Sequence, residues 1–358
     1  MSAHEVIVWS VTPGLLSEGP RWHEERQELL WVDVLGRQMH RGTLSPDGAL
    51  ERLETISVDR HIGAVAPAAG GGYVLAAGAG FLFVDDAGSI QELAQPEGDR
   101  TDVRMNDGAC DPQGRFWAGT MAYDESPGAG ILYRLELDGS CTTMLTGLTI
   151  SNGIGWSPDA STMHLNDSGT GCVEVFRFDG PSGAISDRRT LVHIDQPGVA
   201  PDGLTVDDEG GIWVALWNGA AIHRYARDGS LLASVQLPVE RPTSCAFGGP
   251  RRDTLFVTTA RTDLDDDALA RQPHAGKVFA IDGLGAAVSP ACRIAAGHHG
   301  RLSEPDRRRR QRRCTTADTA TCSLGRPGQH PPLRRSLHGP CLARRPANPY
   351  RASRAGRG

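Results

Sequence analysis

Apolar residues along most of this chain come in short runs broken by tight polar turns, and no 3.6-residue period competes with them. The recurring unit is an apolar strand, a short turn, a second strand and a Gly-containing turn. Six copies can be read: LLWVDVLGRQMHRG from Leu29, GYVLAAGAGFLFVDDAG from Gly72, RFWAGTM with ILYRLELDG from Arg115, TMHLNDSGTGCVEVFRFDG from Thr162, GIWVALWNGAAIHRYARDG from Gly211, and TLFVTTAR with GKVFAIDG from Thr254. With Leu30, Tyr73, Phe116, Met163, Ile212 and Leu255 as equivalent points, the intervals are 43, 43, 47, 49 and 43 residues. That is the length of a four-stranded propeller blade, so the pattern predicts an all-β, six-bladed β-propeller. The DG and AG pairs supply the positive φ of hairpin turns. EVIVW, from Glu5 to Trp9, is the strand expected to complete the last blade and close the ring.

Residues at one phase of such a repeat form a ring about the axis. Ten to twelve positions before the equivalent points, just ahead of the expected innermost strand, stand Glu18, His61, Asn106, Asn152, Asp202 and Ser244, all polar. Asn, Asp, Ser and Gly also dominate turns for conformational reasons. That alternative weakens when separate repeats agree in phase and when a carboxylate stands at both Glu18 and Asp202. Two carboxylates and two amide oxygens, with no cysteine, make a hard oxygen set that suits Ca²⁺, Mg²⁺ or Mn²⁺, with Zn²⁺ compatible at an open catalytic site. His61 reads as pocket wall, because no second histidine stands at a matching phase. Asp107 and Asp167 are candidates for orienting the ligands.

The overall charge of −6 hides an asymmetry. Residues 298–358 carry fifteen arginines against Glu304, Asp306 and Asp318, a balance of +12 that leaves −18 for residues 1–297. An acidic body favours cations and repels nucleic acid and anionic membranes. Residues 1–297 therefore read as the propeller domain. Residues 298–358, rich in Arg, Pro and Gly, read as a disordered tail or as the product of a shifted reading frame, since the chain has one lysine, Lys277, against 36 arginines. Nucleic-acid binding by this tail is the remaining reading of its charge. Eight scattered cysteines without CxxC pairs exclude a zinc knuckle or disulfide framework. No apolar run spans a membrane and no secretory leader is recognisable, which points to the cytoplasm.

The motifs EGPRW at Glu18, RMNDGACDPQGRFWAGTM at Arg104, SNGIGWSPD at Ser151, LNDS at Leu165, PDGLTVDDEGGIWVALW at Pro201 and RPTSCAFGG resemble, in this order, the senescence marker protein, regucalcin and gluconolactonase family. The resemblance runs from about Leu16 to Gly283 and implies a six-bladed propeller with one divalent metal ion in its central channel. It implies metal ligands at Glu18, Asn152 and Asp202, with Arg104 and Asn106 contacting substrate oxygens. Asp124 falls where some members place a glutamate that binds a sugar hydroxyl, one methylene longer. For Arg104 the alternative is a surface pairing with Asp102 or Asp107.

The function this implies is metal-dependent hydrolysis of a sugar lactone such as an aldonolactone. The cation would polarise the carbonyl, and Asp202 would act as general base. The alternative is a regucalcin-like calcium-binding protein that uses the same ring without turnover. No GxSxG elbow, Cys-His signature or phosphate loop supports other chemistry.

Overall fold

The computed structural model describes residues 4–45, 48–98, 100–288 and 294. Among these residues lie twenty-four strands and one short helix, arranged in six four-stranded antiparallel sheets. The expectations for residues 298–358, and the domain boundary before them, lie outside the described residues.

The chain opens with β1 (Glu5–Val8) and then builds blade 1 from β2 (Ser17–His23), β3 (Glu28–Asp33), β4 (Gln38–Leu44) and β5 (Leu50–Ser57). Blade 2 is β6 (Ile62–Pro67), β7 (Tyr73–Ala77), β8 (Gly80–Val84) and β9 (Ile90–Ala94). Blade 3 is β10 (Val103–Cys110), β11 (Phe116–Ala122), β12 (Gly130–Leu135) and β13 (Cys141–Leu148). Blade 4 is β14 (Ser151–Trp156), β15 (Thr162–Asp167), β16 (Cys172–Asp179) and β17 (Ala184–His193). Blade 5 is β18 (Ala200–Val206), β19 (Ile212–Trp217), β20 (Ala221–Tyr225) and β21 (Leu231–Gln236). Blade 6 takes β22 (Pro242–Gly248), β23 (Thr254–Thr259) and, after helix α1 (Asp266–Arg271), β24 (Phe279–Asp282).

The repeats read from the sequence are the second and third strands of each blade, and the second strands are buried on both faces. Six separate apolar clusters fill the six gaps between neighbouring blades, so every blade packs on two others. Two aspartates recur at blade turns in the pattern D-x-x-G-x-x-W. Asp111 accepts from Trp117 Nε1 at 2.9 Å and Arg115 Nε at 2.6 Å, and Asp207 accepts from Trp213 Nε1 at 2.8 Å and Arg224 Nε at 2.8 Å. A charged acceptor satisfies the indole N–H inside the wall, which would otherwise carry a desolvation penalty. The four described cysteines, Cys110, Cys141, Cys172 and Cys245, form no disulfide.

The inner strands depart from regular pairing at one common level. Each of the six breaks register with its second strand there: between Glu18 and Arg21, Ile62 and Ala64, Met105 and Gly108, Ser151 and Ile154, Pro201 and Leu204, and Pro242 and Ser244. A β-bulge re-aims the side chains beside it. The ring positions read from the sequence are thus mostly inside the inner strands, at their bulges, rather than ahead of them. In blades 2 and 6 the residues skipped by the pairing are Gly63 and Thr243. His61 sits one residue ahead of β6 and Ser244 one residue further along β22.

The ring closes as expected. β1 pairs antiparallel with β24 from Glu5↔Asp282 to Val8↔Phe279, supplying the fourth strand of blade 6. Trp9 follows at once and is 5% exposed, wedged edge-on against Trp31 of blade 1 and Phe256 of blade 6. Removing residues 1–10 opens a sheet edge and empties the Trp9 site, a loss of about 3–5 kcal/mol for the tryptophan alone. Scanning calorimetry of the truncated chain should show the melting temperature falling by about 6 °C or more, at roughly 2–4 °C per kcal/mol. An unchanged melting curve would deny β1 its closing role.

Candidate functional site

One cavity of about 260 Å³ on the propeller axis gathers residues from distant parts of the chain. Glu18 of β2, Arg104 and Asn106 of β10, Asn152 of β14 and Asp202 of β18 line it, with His61, Tyr123, Glu125, Thr262 and Asp263 around them. Leu16, Leu35, Met121, Ile150 and Trp217 supply apolar wall. Five of the six site residues expected from the sequence thus meet in one place. Asp124 is not among the lining residues: its carboxylate accepts from the Ser126 amide at 3.0 Å in the turn after β11. Its neighbour Glu125 faces the cavity instead, from a left-handed backbone at φ 58°. The distinction depends on one turn's conformation, which residue spacing does not carry.

Glycines let the inner strands crowd together at this level. A Cβ on Gly63 would overlap the Asn106 carbonyl, one on Gly153 the backbone of Asp202 to Leu204, and one on Gly203 the Ser244 side chain. At these three close approaches a glycine removes the side chain that would collide, and the polar residues beside those glycines turn toward the axis.

Glu18, Asn152 and Asp202 are 7%, 3% and 2% exposed. Glu18 Oε2 accepts from the Gly19 amide at 2.9 Å. Burial, reinforced by the charge of Asp107, pushes the Glu18 carboxyl up to about 8. Burial, then the charges of Glu18 and Asp107, raise Asp202 well above the ordinary carboxylate range, while the nearby Asn152 amide and Arg104 oppose the rise.

Two oxygens of this trio, Asn152 Oδ1 and Asp202 Oδ1, have no hydrogen-bond partner among the described residues. The amide's orientation is fixed chemically. Ser168 Oγ donates its one proton to the Pro201 carbonyl at 2.7 Å and so can only accept from Asn152 Nδ2 at 3.0 Å, which leaves Oδ1 facing away from that contact.

The surroundings hold these groups in place. Asn166 Nδ2 donates to the Asp202 carbonyl at 2.5 Å, tying blade 4 to blade 5. Asp167 accepts from the Thr149 and Ile150 amides at 3.0 and 2.9 Å, clamping the approach to β14. Asp33 does the same for β2 through the Leu15 and Leu16 amides at 2.9 and 3.1 Å. Arg104 Nη1 donates to Asn106 Oδ1 at 2.6 Å and to the Met105 carbonyl at 3.1 Å, while Asn106 Nδ2 donates to the Ser151 carbonyl at 2.9 Å. Arg104 is 8% exposed and therefore not a surface arginine. At the rim, His61 Nδ1 and Tyr123 Oη are 2.9 Å apart, and burial, then the Arg104 charge, lower the His61 pKa and favour neutral imidazole.

Two buried carboxylates and a correctly turned amide oxygen form a donor set for a hard cation, and the partnerless oxygens make that fit specific. Among the described residues no three or more His, Cys, Asp or Glu side chains are grouped to hold a metal ion, so the set depends on its asparagine.

Deprotonating Glu18 and Asp202 in the cation-free fold is unfavourable, and the sign of the pH effect follows. A carboxyl whose folded pKa lies above its unfolded value stabilises the fold below the unfolded value and loses that contribution as pH rises through the folded one. In chelator, thermal melts should show stability falling as pH rises from about 4.5 to about 8. A divalent cation should reverse the trend, because it replaces the departing protons. A flat profile that Ca²⁺ leaves unmoved would count against a cation site.

Comparison with known proteins agrees with this geometry. The family model described as "SMP-30/Gluconolactonase/LRE-like region" matches residues 16–261, more than half the chain. Regucalcin of Danio rerio is 38% identical over 274 residues, which cover 75% of this chain and 91% of that protein. The crystal structure of a calcium-binding protein, regucalcin, from Agrobacterium tumefaciens superposes with a TM-score of 0.76 at 29% identity, over 80% of this chain and 96% of that one. A luciferin-regenerating enzyme superposes with a TM-score of 0.75 at 30% identity, over 82% of this chain and all of that one.

Proposed function

The chain belongs to the SMP-30/Gluconolactonase/LRE-like family, and we propose that within it this protein is a cytoplasmic, divalent-cation-dependent lactonase that opens a sugar lactone to its hydroxy acid. The observation that carries the reading is the convergence of Glu18, Asn152 and Asp202, with two partnerless oxygens, at the inner wall of a cavity open to small molecules. These three residues would hold the cation, Ca²⁺ by the hardness of the set, with Mg²⁺, Mn²⁺ or Zn²⁺ as substitutes.

When bound, a divalent cation supplies charge that polarises an ester carbonyl and acidifies water. The remaining steps belong to the chain. The Asp202 carboxylate takes a proton from the attacking water. The water oxygen bonds to the carbonyl carbon, the ring C–O bond breaks, and the ring oxygen leaves as the hydroxyl after receiving that proton. Arg104 anchors the negative charge of the developing carboxylate and fixes Asn106 so that its amide stays in register with the substrate. His61, neutral and braced by Tyr123, forms wall without adding charge.

The charges support this chemistry. The buried carboxylates Glu18, Asp107 and Asp202, when ionised, sum with Arg21 and Arg104 to −1, which a dication changes to +1, and Glu125 and Asp263 add negative charge elsewhere on the cavity wall. The positive sum of the buried groups favours a developing oxyanion.

Acid release from a panel of aldonolactones, followed by pH-stat with each divalent ion, tests the proposal. The wild type should hydrolyse at least one lactone in a chelator-sensitive manner. Asp202→Asn and Glu18→Gln should each lower kcat/KM by about 10²-fold or more. Tight cation binding with no turnover across the panel would instead favour a calcium-binding role without catalysis; calcium binding is what the name of the Agrobacterium relative states.

A further inference from the structure

Below the cavity lies an arginine that the proposed chemistry does not use. Arg21, near the end of β2 in blade 1, reaches across the channel to blade 3. Its Nη2 donates to the Gly108 carbonyl of β10 at 2.8 Å, and its Nη1 donates to its own neighbour, the Pro20 carbonyl, at 2.8 Å. The same Nη2 lies 3.6 Å from Asp107 Oδ1, and the two side chains are 16% and 2% exposed. The chord passes blade 2, whose inner strand bears only Gly63 at this level. Asp107 is held in turn by the Gly108 amide, which donates to its Oδ1 at 2.7 Å, while its Oδ2 has no hydrogen-bond partner among the described residues.

The position of this pair matters. Arg21 lines a second cavity of about 290 Å³, bounded by the far ends of the inner strands and by Cys110, Trp156, Phe247 and Val288. The two cavities share no lining residue, and Asp107 lines neither. The guanidinium is surrounded by two carbonyl oxygens and one carboxylate, an oxygen cage of the kind a metal ion would otherwise take. Asp107 is close enough to Glu18 and Asp202 for its charge to raise both of them. Left without a counter-charge, it would act as a third carboxylate beneath the proposed ligands.

We propose that Arg21 is the resident cation of the channel, a positioning residue that neutralises Asp107 from below so that the Glu18, Asn152 and Asp202 site meets a divalent ion with two carboxylates rather than three. The inference rests on the reading of that site as a cation site. Fewer negative charges around a bound dication leave it more polarising toward a carbonyl and less tightly held.

Calorimetric titration of the full-length protein with Ca²⁺ alone, with no lactone present, tests this on four proteins: wild type, Arg21→Met, Asp107→Asn and the double variant. Removing the guanidinium should tighten the Ca²⁺ Kd about tenfold, and removing the Asp107 charge should weaken it by a similar factor, as expected for unit charges acting across a partly screened interior. The double variant should return to within about twofold of wild type. A gain in affinity is the diagnostic result, because structural damage would only weaken binding.

If Arg21→Met alone fails to fold, the step from Asp107→Asn to the double variant removes the same charge without leaving Asp107 unpaired, and it too should tighten binding about tenfold. Unchanged or weaker binding on removal of Arg21 overturns the inference alone. A wild type that binds no Ca²⁺ overturns the cation site on which it rests.

Discussion

Six strands cannot approach one axis with side chains between them. The contacts of Gly63 with the Asn106 backbone, of Gly153 with the Asp202 backbone and of Gly203 with Ser244 leave no room for a Cβ, and the register slips of all six inner strands fall at this same level. The bulge and the glycine act together: one adds a residue to the strand, the other removes the side chain that would collide. The added residue turns inward. In blades 3, 4 and 5 the slip contains Asn106, Asn152 and Asp202, and in blade 1 Glu18 is the last paired residue before it, so the packing constraint that allows the ring to form also delivers its polar groups to the centre.

Delivery has an electrostatic cost. Three carboxylates, Glu18, Asp107 and Asp202, are carried into a region where Asp107 raises the proton affinity of Glu18 and both raise that of Asp202, and buried like charges disfavour the folded state unless protons or cations attend them. The surrounding structure is correspondingly over-determined. Asp33 and Asp167 clamp the segments that lead into β2 and β14, Asn166 ties β15 to the Asp202 carbonyl, and Ser168 fixes the Asn152 amide. Stability accumulated in the six apolar clusters between blades offsets a site whose own groups repel one another.

What could be read from the residues follows the same physics. The second strand of each blade is buried on both faces, so runs such as ELLWVD and IWVALW announce themselves and their spacing yields the number of blades. Inner strands such as SEGPRWH and VRMNDGAC mix glycine, proline and charge, because they face a neighbour's backbone on one side and a polar channel on the other. They read as turns, and the ring was accordingly placed ahead of the strands instead of within them.

Outer strands such as LERLETIS and AISDRRTLVH face solvent and carry little apolar signal. Counting residues locates Glu18, Asn106, Asn152 and Asp202, but it misses the register slips at His61 and Ser244, where the offset between equivalent strands changes, and it does not choose Glu125 over Asp124. The pairing of Arg21 with Asp107 carries no periodic signal at all: it joins blades 1 and 3 over a separation of 86 residues.

Closure connects the remote ends of the chain to this chemistry. The proposed ligands come from blade 1 on one side of the seam and blades 4 and 5 on the other, so the separation of Glu18 from Asp202 is set both around the ring and across the junction of blade 6 with blade 1. That junction is pinned beside the site itself. Ser17, the residue before Glu18, donates through Oγ to the Gly276 carbonyl at 2.8 Å, and its own carbonyl accepts from Thr243 Oγ1 of β22 at 2.6 Å. Both partners belong to blade 6 or to the turn that leads into its third strand. β1 secures the outer edge of that blade, Trp9 fills the gap behind it, and Ser17 fastens the inner edge. A seam that loosened anywhere along this line would let Glu18 swing away from Asp202, so the strand farthest from the axis helps to hold the geometry at its centre.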